Sequence, residues 1–171
     1  MKARTTSGAP SPARWQDALS DERLAHLVKT AFRETSRALQ SRLAEHGVQY
    51  GHWTLLRVLW QTDGITQRQL AEQAGVAEPS AFAALGQMEQ LGYVARRKVA
   101  GNQKQVRVFL TPKGAALRGA SIGAAEEVNR IALAGLAPGD IAGARRVLVS
   151  LIENLERDAE GGRVRASRRV A

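Results

Sequence analysis

A mainly helical fold with one small β-hairpin is what this sequence predicts. Three observations carry that expectation. Apolar residues recur at three- and four-residue steps through most of the chain, a capping signature opens a pair of short helices near the middle, and one stretch of alternating residues follows them. At 171 residues the chain has the length of one ordinary domain with a substantial core.

Residues 1–19 include Ser7-Gly8-Ala9-Pro10-Ser11-Pro12, a linker composition with little to bury, and read as a flexible arm. A single domain is expected over 20–160. Its first helix begins near Asp21, with Leu24, Leu27, Val28, Ala31, Phe32, Thr35, Leu39 and Leu43 along one stripe, Ser20 or Asp21 as its cap and Gly47 as its end. Such a helix is long for a small domain and is expected to pack against more than its own neighbours. From His52 to Gln61, Trp53, Leu55, Leu56, Val58, Leu59 and Trp60 form a dense apolar helix that Asp63-Gly64 stops.

Thr66, followed three residues later by Gln69, has capping-box spacing: hydroxyl and amide satisfy free N–H groups at a helix start. Leu70 and Ala74 face the core, Gly75 ends this helix and Val76 packs into the turn. The next helix, Glu78 to Leu91, opens with Pro79 in its first turn and carries Phe82, Leu85, Met88 and Leu91 as its apolar stripe. Two short helices joined by a glycine-containing turn make a helix-turn-helix. Arg96-Arg97-Lys98-Val99, a turn at Ala100-Gly101-Asn102 and the alternating Val106 to Leu110 then read as a hairpin with a core face and a cationic outer face. That hairpin is a wing, and residues 50–112 form a winged helix-turn-helix lobe.

Thr111-Pro112 opens a helix expected to reach about Ala134, rich in small residues such as Ala115, Gly119, Ala120, Gly123 and Ala124. A last helix carries Ile141, Ala144, Val147, Leu148, Leu151, Ile152 and Leu155. The helices of 20–47 and 112–158 have no evident partner within a minimal winged helix, so they are read as a helical dimerisation layer. Gly161-Gly162 and the arginines after them read as a basic flexible tail over 161–171.

The formal charge is +9, of which the ends hold much: +2 from Lys2, Arg4 and Arg14 against Asp17, and +4 from Arg163, Arg165, Arg168 and Arg169. Within the body the positive residues gather from Arg96 to Arg118, a stretch without an acid. The chain has no cysteine, which excludes disulfides, thiolate metal sites and cysteine redox sensing. Met1 to Trp15 is polar and proline-rich, without a secretory apolar core, and no apolar run approaches a membrane span, so a soluble, cytoplasmic protein is expected. No nucleophile elbow, HExxH, phosphate-cradling glycine loop or paired carboxylates argue for an enzyme. His26, His46 and His52 have no metal-ligand spacing, and neither a metal nor a cofactor is expected.

With the helix-turn-helix of Ile65 to Val94, the arginine-rich wing and the block Leu110-Thr111-Pro112-Lys113-Gly114, the chain resembles the MarR family of bacterial regulators over roughly Leu24 to Leu155. The resemblance implies a homodimer interlocked by the first and the last two helices, each lobe presenting a recognition helix and a wing to double-stranded DNA. Two-fold symmetry then implies a pseudo-palindromic site with half-sites about one helical turn apart. It also implies a repressor released by a small aromatic carboxylate or phenol. Where the family's wing usually has Asp-x-Arg, this chain has Asn102-Gln103-Lys104, which keeps the charge and loses the planar fork suited to a narrow minor groove.

On the recognition helix Ser80, Ala81, Ala83, Ala84 and Gln87 are placed outward. Ser80 and Gln87 can hydrogen-bond to bases, Gln87 suiting adenine, while Ala83 and Ala84 can meet thymine methyls; Gln87 equally suits a solvated surface. Thr66, Gln67, Arg68, Arg96, Arg97, Lys98 and Lys104 are the candidates for phosphate. Tyr50, His52, Trp53, Arg57 and Trp60, with Phe32 nearby, make a candidate pocket for an aromatic acid, or else an ordinary core with satisfied polar groups. The competing function is a constitutive architectural or adaptor DNA-binding protein without a small ligand.

Overall fold

The computed structural model describes residues 24–99 and 102–170. The arm at 1–19 and the caps Ser20 and Asp21 lie outside the described residues, as do Ala100 and Gly101 of the expected turn. The chain divides into two compact units, one ending at Val128 and the other starting at Asn129.

The first unit runs α1 (Leu24–Glu45), α2 (Tyr50–Leu59), β1 (Ile65–Thr66), α3 (Gln67–Ala74), α4 (Glu78–Gln90), β2 (Val94–Val99), β3 (Asn102–Leu110), α5 (Pro112–Ala116) and most of α6 (Arg118–Ala132). The second holds the end of α6 and α7 (Pro138–Val170). The mainly helical winged helix-turn-helix read from the sequence is the fold of the first unit.

Its core gathers one face of each short element: Leu43 from α1, Leu55, Leu56 and Leu59 from α2, Leu70 from α3, Leu85 and Met88 from α4, and Val94 and Val108 from the sheet. All are at most 2% exposed, and burying each contributes about 1.5–3 kcal/mol relative to leaving it in water. The Thr66 capping box forms as expected. The Gln69 backbone N–H donates to Thr66 Oγ1 at 3.2 Å, and the Thr66 N–H donates to Gln69 Oε1 at 3.1 Å. Gly75 ends α3.

Several elements depart from the sequence reading. The wing belongs to a three-stranded antiparallel sheet of order β1-β3-β2, because Ile65 and Thr66 pair with Val108 and Arg107 ahead of the helix-turn-helix. Two residues carry no alternation, so the sequence pattern does not betray β1. On α4 the buried stripe is Ala81, Leu85 and Met88, while Phe82 is 61% exposed and Leu91 40% exposed. The reason is geometric. Three successive steps of three residues rotate about half a turn around a helix, so Phe82 and Leu91 fall on opposite edges of the stripe centred on Leu85 and Met88. Ala81, placed outward by the sequence, is therefore in the core.

The helix expected to open at Thr111-Pro112 and run to Ala134 is interrupted at Leu117, which separates α5 from α6. The backbone expected to leave the last helix at Gly161-Gly162 continues in α7 to Val170. Much of the apolar stripe of α1 is open within one chain: Leu43 alone is fully buried, and Leu24 and Phe32 are exposed. Val147, Leu148, Ile152 and Leu155 of α7 are exposed as well.

Candidate nucleic-acid interface

The turn ahead of α3 is built on the wing. The Gly64 N–H donates to the Val108 carbonyl at 3.0 Å, the Leu110 N–H donates to Asp63 Oδ1 at 2.9 Å, and Arg107 Nη1 donates to the Gly64 carbonyl at 3.1 Å. Gly64 has φ +71, and the Phe109 ring closes over it so tightly that a Cβ there would meet Cε1 at 2.7 Å. The far side of the hairpin is held by the block Leu110 to Gly114. Thr111 Oγ1 donates to the Gly92 carbonyl at 2.6 Å and accepts from the Gly114 N–H at 3.1 Å, capping α5. Lys113 Nζ donates to the Leu91 carbonyl at the C-terminal end of α4 at 2.9 Å, where a cation also suits the helix dipole. Gly114 lies against the Tyr93 carbonyl, where a Cβ has no room, and its own carbonyl accepts from Trp60 Nε1 at 3.1 Å. This packing gives the Leu-Thr-Pro-Lys-Gly signature its physical content.

Held in this frame, α4 turns Ser80, Ala83 and Gln87 outward; Ala84 is half-buried against the core. The cations divide into two groups. Arg68 is exposed, with Glu78 3.8 Å away, and Arg97 and Lys98 are exposed on β2, the Arg97 guanidinium lying 5.8 Å from the Phe109 ring centre. Arg96 is engaged within the protein: Nη2 and Nε donate to Glu89 Oε2 at 2.6 and 2.9 Å, its backbone N–H donates to Glu89 Oε1 at 3.1 Å, and its guanidinium lies 5.5 Å from the Phe82 ring centre. These hydrogen bonds hold the Glu89 carboxyl below the ordinary carboxylate range. The exposure of Phe82 is thus partly met by Arg96. Thr66 spends its hydroxyl on Gln69, and Gln67 is half-buried. Lys104 stands on β3, and its side chain is outside the described residues.

The six residues expected to line a ligand pocket do not converge on one space. Trp53 and Trp60 pair with ring centres 5.7 Å apart. His52, 1% exposed, turns instead to α4 and Tyr93, with Nε2 3.2 Å from Gln87 Oε1 and its ring 6.4 Å from the Tyr93 ring, edge on. Burial pulls the His52 pKa below its usual range, the Gln87 contact opposing that pull. Arg57 and Phe32 are exposed. Tyr50 accepts from Ser36 Oγ at 3.2 Å and lines an open cleft of about 410 Å³ with Gln40, Ala44, Val48 and Gln49 at the junction of α1 and α2. No group of His, Asp and Glu among the described residues is suited to a metal ion, and no helix among them is long and apolar enough to cross a membrane.

Sequence reading missed the Glu89–Arg96 brace and the His52–Gln87 contact. Each joins residues on different elements, and neither has a spacing signal.

Residues 48–106, which span the helix-turn-helix and most of the wing, match the model of the MarR family. Over its helix-turn-helix and wing the chain is thus similar to the MarR family. It is 30% identical over 99 residues to the HTH-type transcriptional regulator TtmR of Methylorubrum extorquens, a match covering 58% of this chain and 51% of that protein. The chain thus spans about half the length of this curated relative. Among solved structures, a putative MarR family transcriptional regulator of Listeria monocytogenes complexed with 26mer DNA superposes with a TM-score of 0.70 at 22% identity, covering 81% of this chain and 92% of that one. A Mycobacterium tuberculosis MarR family protein in complex with salicylic acid superposes with a TM-score of 0.63 at 23% identity, covering 78% and 98%. This chain shares their fold.

Proposed function

We propose that this chain is a transcriptional regulator that binds duplex DNA as a homodimer. The observation that carries the reading is the outward row Ser80, Ala83 and Gln87 on a helix braced from behind by the core, with exposed Arg97 and Lys98 on the adjoining strand. Such a helix suits the major groove, and the basic strand suits the phosphates beside it. The DNA complex of the Listeria relative supports the same use of the fold. Exposed apolar residues on α1 and α7 supply faces for a second copy, and two-fold symmetry would pair two recognition helices on a pseudo-palindrome.

The finer reading is a repressor released by a small aromatic or phenolic acid. The salicylic acid complex of the mycobacterial relative supports it, together with the cleft at Tyr50. A ligand acts this way only through different affinities for the DNA-bound and free forms. The test is selection from a randomised duplex pool by the full-length protein, followed by footprinting of the selected site with and without salicylate. A protected two-fold site lost on salicylate addition is expected. An affinity ratio of selected to random duplex near one at fixed salt favours a constitutive architectural protein instead.

A further inference from the structure

Gln87 lies on the outer face of α4, yet its side-chain carbonyl is turned inward. Gln87 Oε1 is 3.2 Å from His52 Nε2, and His52 is 1% exposed. The imidazole is fixed from two sides. Its ring stands edge-on to Tyr93, with an interplanar angle of 77°, and the Tyr93 hydroxyl is itself anchored to the Gly47 carbonyl at 3.1 Å. A core side chain therefore reaches Gln87, the long polar side chain of the outward row Ser80, Ala83 and Gln87.

The proton on this ring has one favourable place. Nδ1 is buried and has no hydrogen-bond partner among the described residues. A proton there would bury an N–H without an acceptor and leave the Nε2 lone pair facing the carbonyl oxygen of Gln87. With the proton on Nε2, that N–H donates to Oε1, and only a ring lone pair is left unpaired.

We infer that His52 is a positioning residue that fixes the Gln87 amide with its carbonyl inward, so that Gln87 offers its NH2 group alone to DNA. The inference rests on the DNA-binding reading above. It changes the base that Gln87 suits. Pairing with adenine uses both halves of the amide, the carbonyl accepting from N6 and the NH2 donating to N7. With the carbonyl engaged, a base edge made only of acceptors fits better, and guanine, with N7 and O6, is such an edge. The alanines at 83 and 84 add no donor or acceptor that would offset this preference.

Two measurements on the full-length protein test the inference. Nitrogen NMR of His52 in the free protein is expected to show the Nε2–H tautomer, and an Nδ1–H tautomer overturns the inference without any DNA being present. Selection from a randomised duplex pool is expected to give wild type a guanine at one position in each half-site. In H52M, which keeps bulk and removes the donor, that preference should fall by about three- to tenfold, the range for one ordinary hydrogen bond. H52Q, whose amide nitrogen can donate from a similar place, should keep it, a rescue that a purely structural role for His52 does not predict. An undiminished guanine preference in H52M, or an adenine selected by wild type, overturns the inference while leaving DNA binding intact. Selection of no site by wild type overturns the DNA-binding reading itself. Should H52M fail to fold, the tautomer and the base selected by wild type decide.

Discussion

Single residues in this chain have separable duties. Arg96 and Arg97 are neighbours in sequence and alike in charge, yet one is tied to Glu89 and the other is exposed. R97A should lower the slope of log affinity against log salt by about 0.9 for each phosphate that Arg97 neutralises, with little change in melting temperature. R96A should do the reverse, lowering the melting temperature while leaving the slope near wild type. Titrations of a 26-base-pair duplex at four salt concentrations, with calorimetry on the free proteins, would separate the two. His52 gives a further expectation at this scale. Its pKa in the folded protein is depressed by burial, so the unfolded chain takes up the proton first as pH falls. The stability it contributes is complete above the unfolded value of about 6.5 and is lost as pH drops through the lower folded value. Glu89, also depressed, acts in the same direction in a more acidic window. Urea midpoints should therefore decline from about pH 6.5 downward, and H52Q should flatten the upper part of that decline.

Elements here are fixed at their ends as well as by their buried faces. Removing the Thr66 hydroxyl in T66A breaks the capping box of α3 and should cost about 0.5–2 kcal/mol, read as a shift in urea midpoint at constant m. In G114A the new methyl group meets the Tyr93 carbonyl, which also accepts from the Thr111 N–H at 3.0 Å. Overpacking of that kind costs about 1–3 kcal/mol, so the urea midpoint of G114A should fall at least as far as that of T66A. This scale also shows what a sequence can disclose. The cap at Thr66, the end at Gly75 and the proline opening of α4 were readable because they are local chemistry at fixed offsets. The strand β1 was not, since two residues show no period and their pairing with Val108 and Arg107 spans more than forty positions. The stripe of α4 was misplaced because steps of three alone drift around the helix. In the candidate site, the outward placement of Ser80, Ala83 and Gln87 follows from helical spacing, whereas the engagement of Arg96 and His52 depends on tertiary partners that spacing does not encode.

For the whole molecule, the apolar faces of α1 and α7 are the part a single chain leaves unfinished. Val147, Leu148, Ile152 and Leu155 are each more than 40% exposed, an arrangement suited to a partner copy. L148E should shift the protein from dimer to monomer in sedimentation at micromolar concentration. If DNA binding needs the dimer, affinity for a selected two-fold site should fall far more than affinity for random duplex. Unchanged sedimentation of L148E would remove α7 from the proposed interface.

The bonds from Asp63, Gly64 and Arg107 give the wing a mechanical role as well as an electrostatic one. The hairpin acts as a splint for the turn that starts the helix-turn-helix. Cutting it away would strand a carboxylate, an amide and a carbonyl and release the backbone that sets Thr66 in its capping conformation. A shortened protein retaining α2 to α4 is thus no smaller edition of the lobe. The wing and the helix it accompanies stand or fall as one piece.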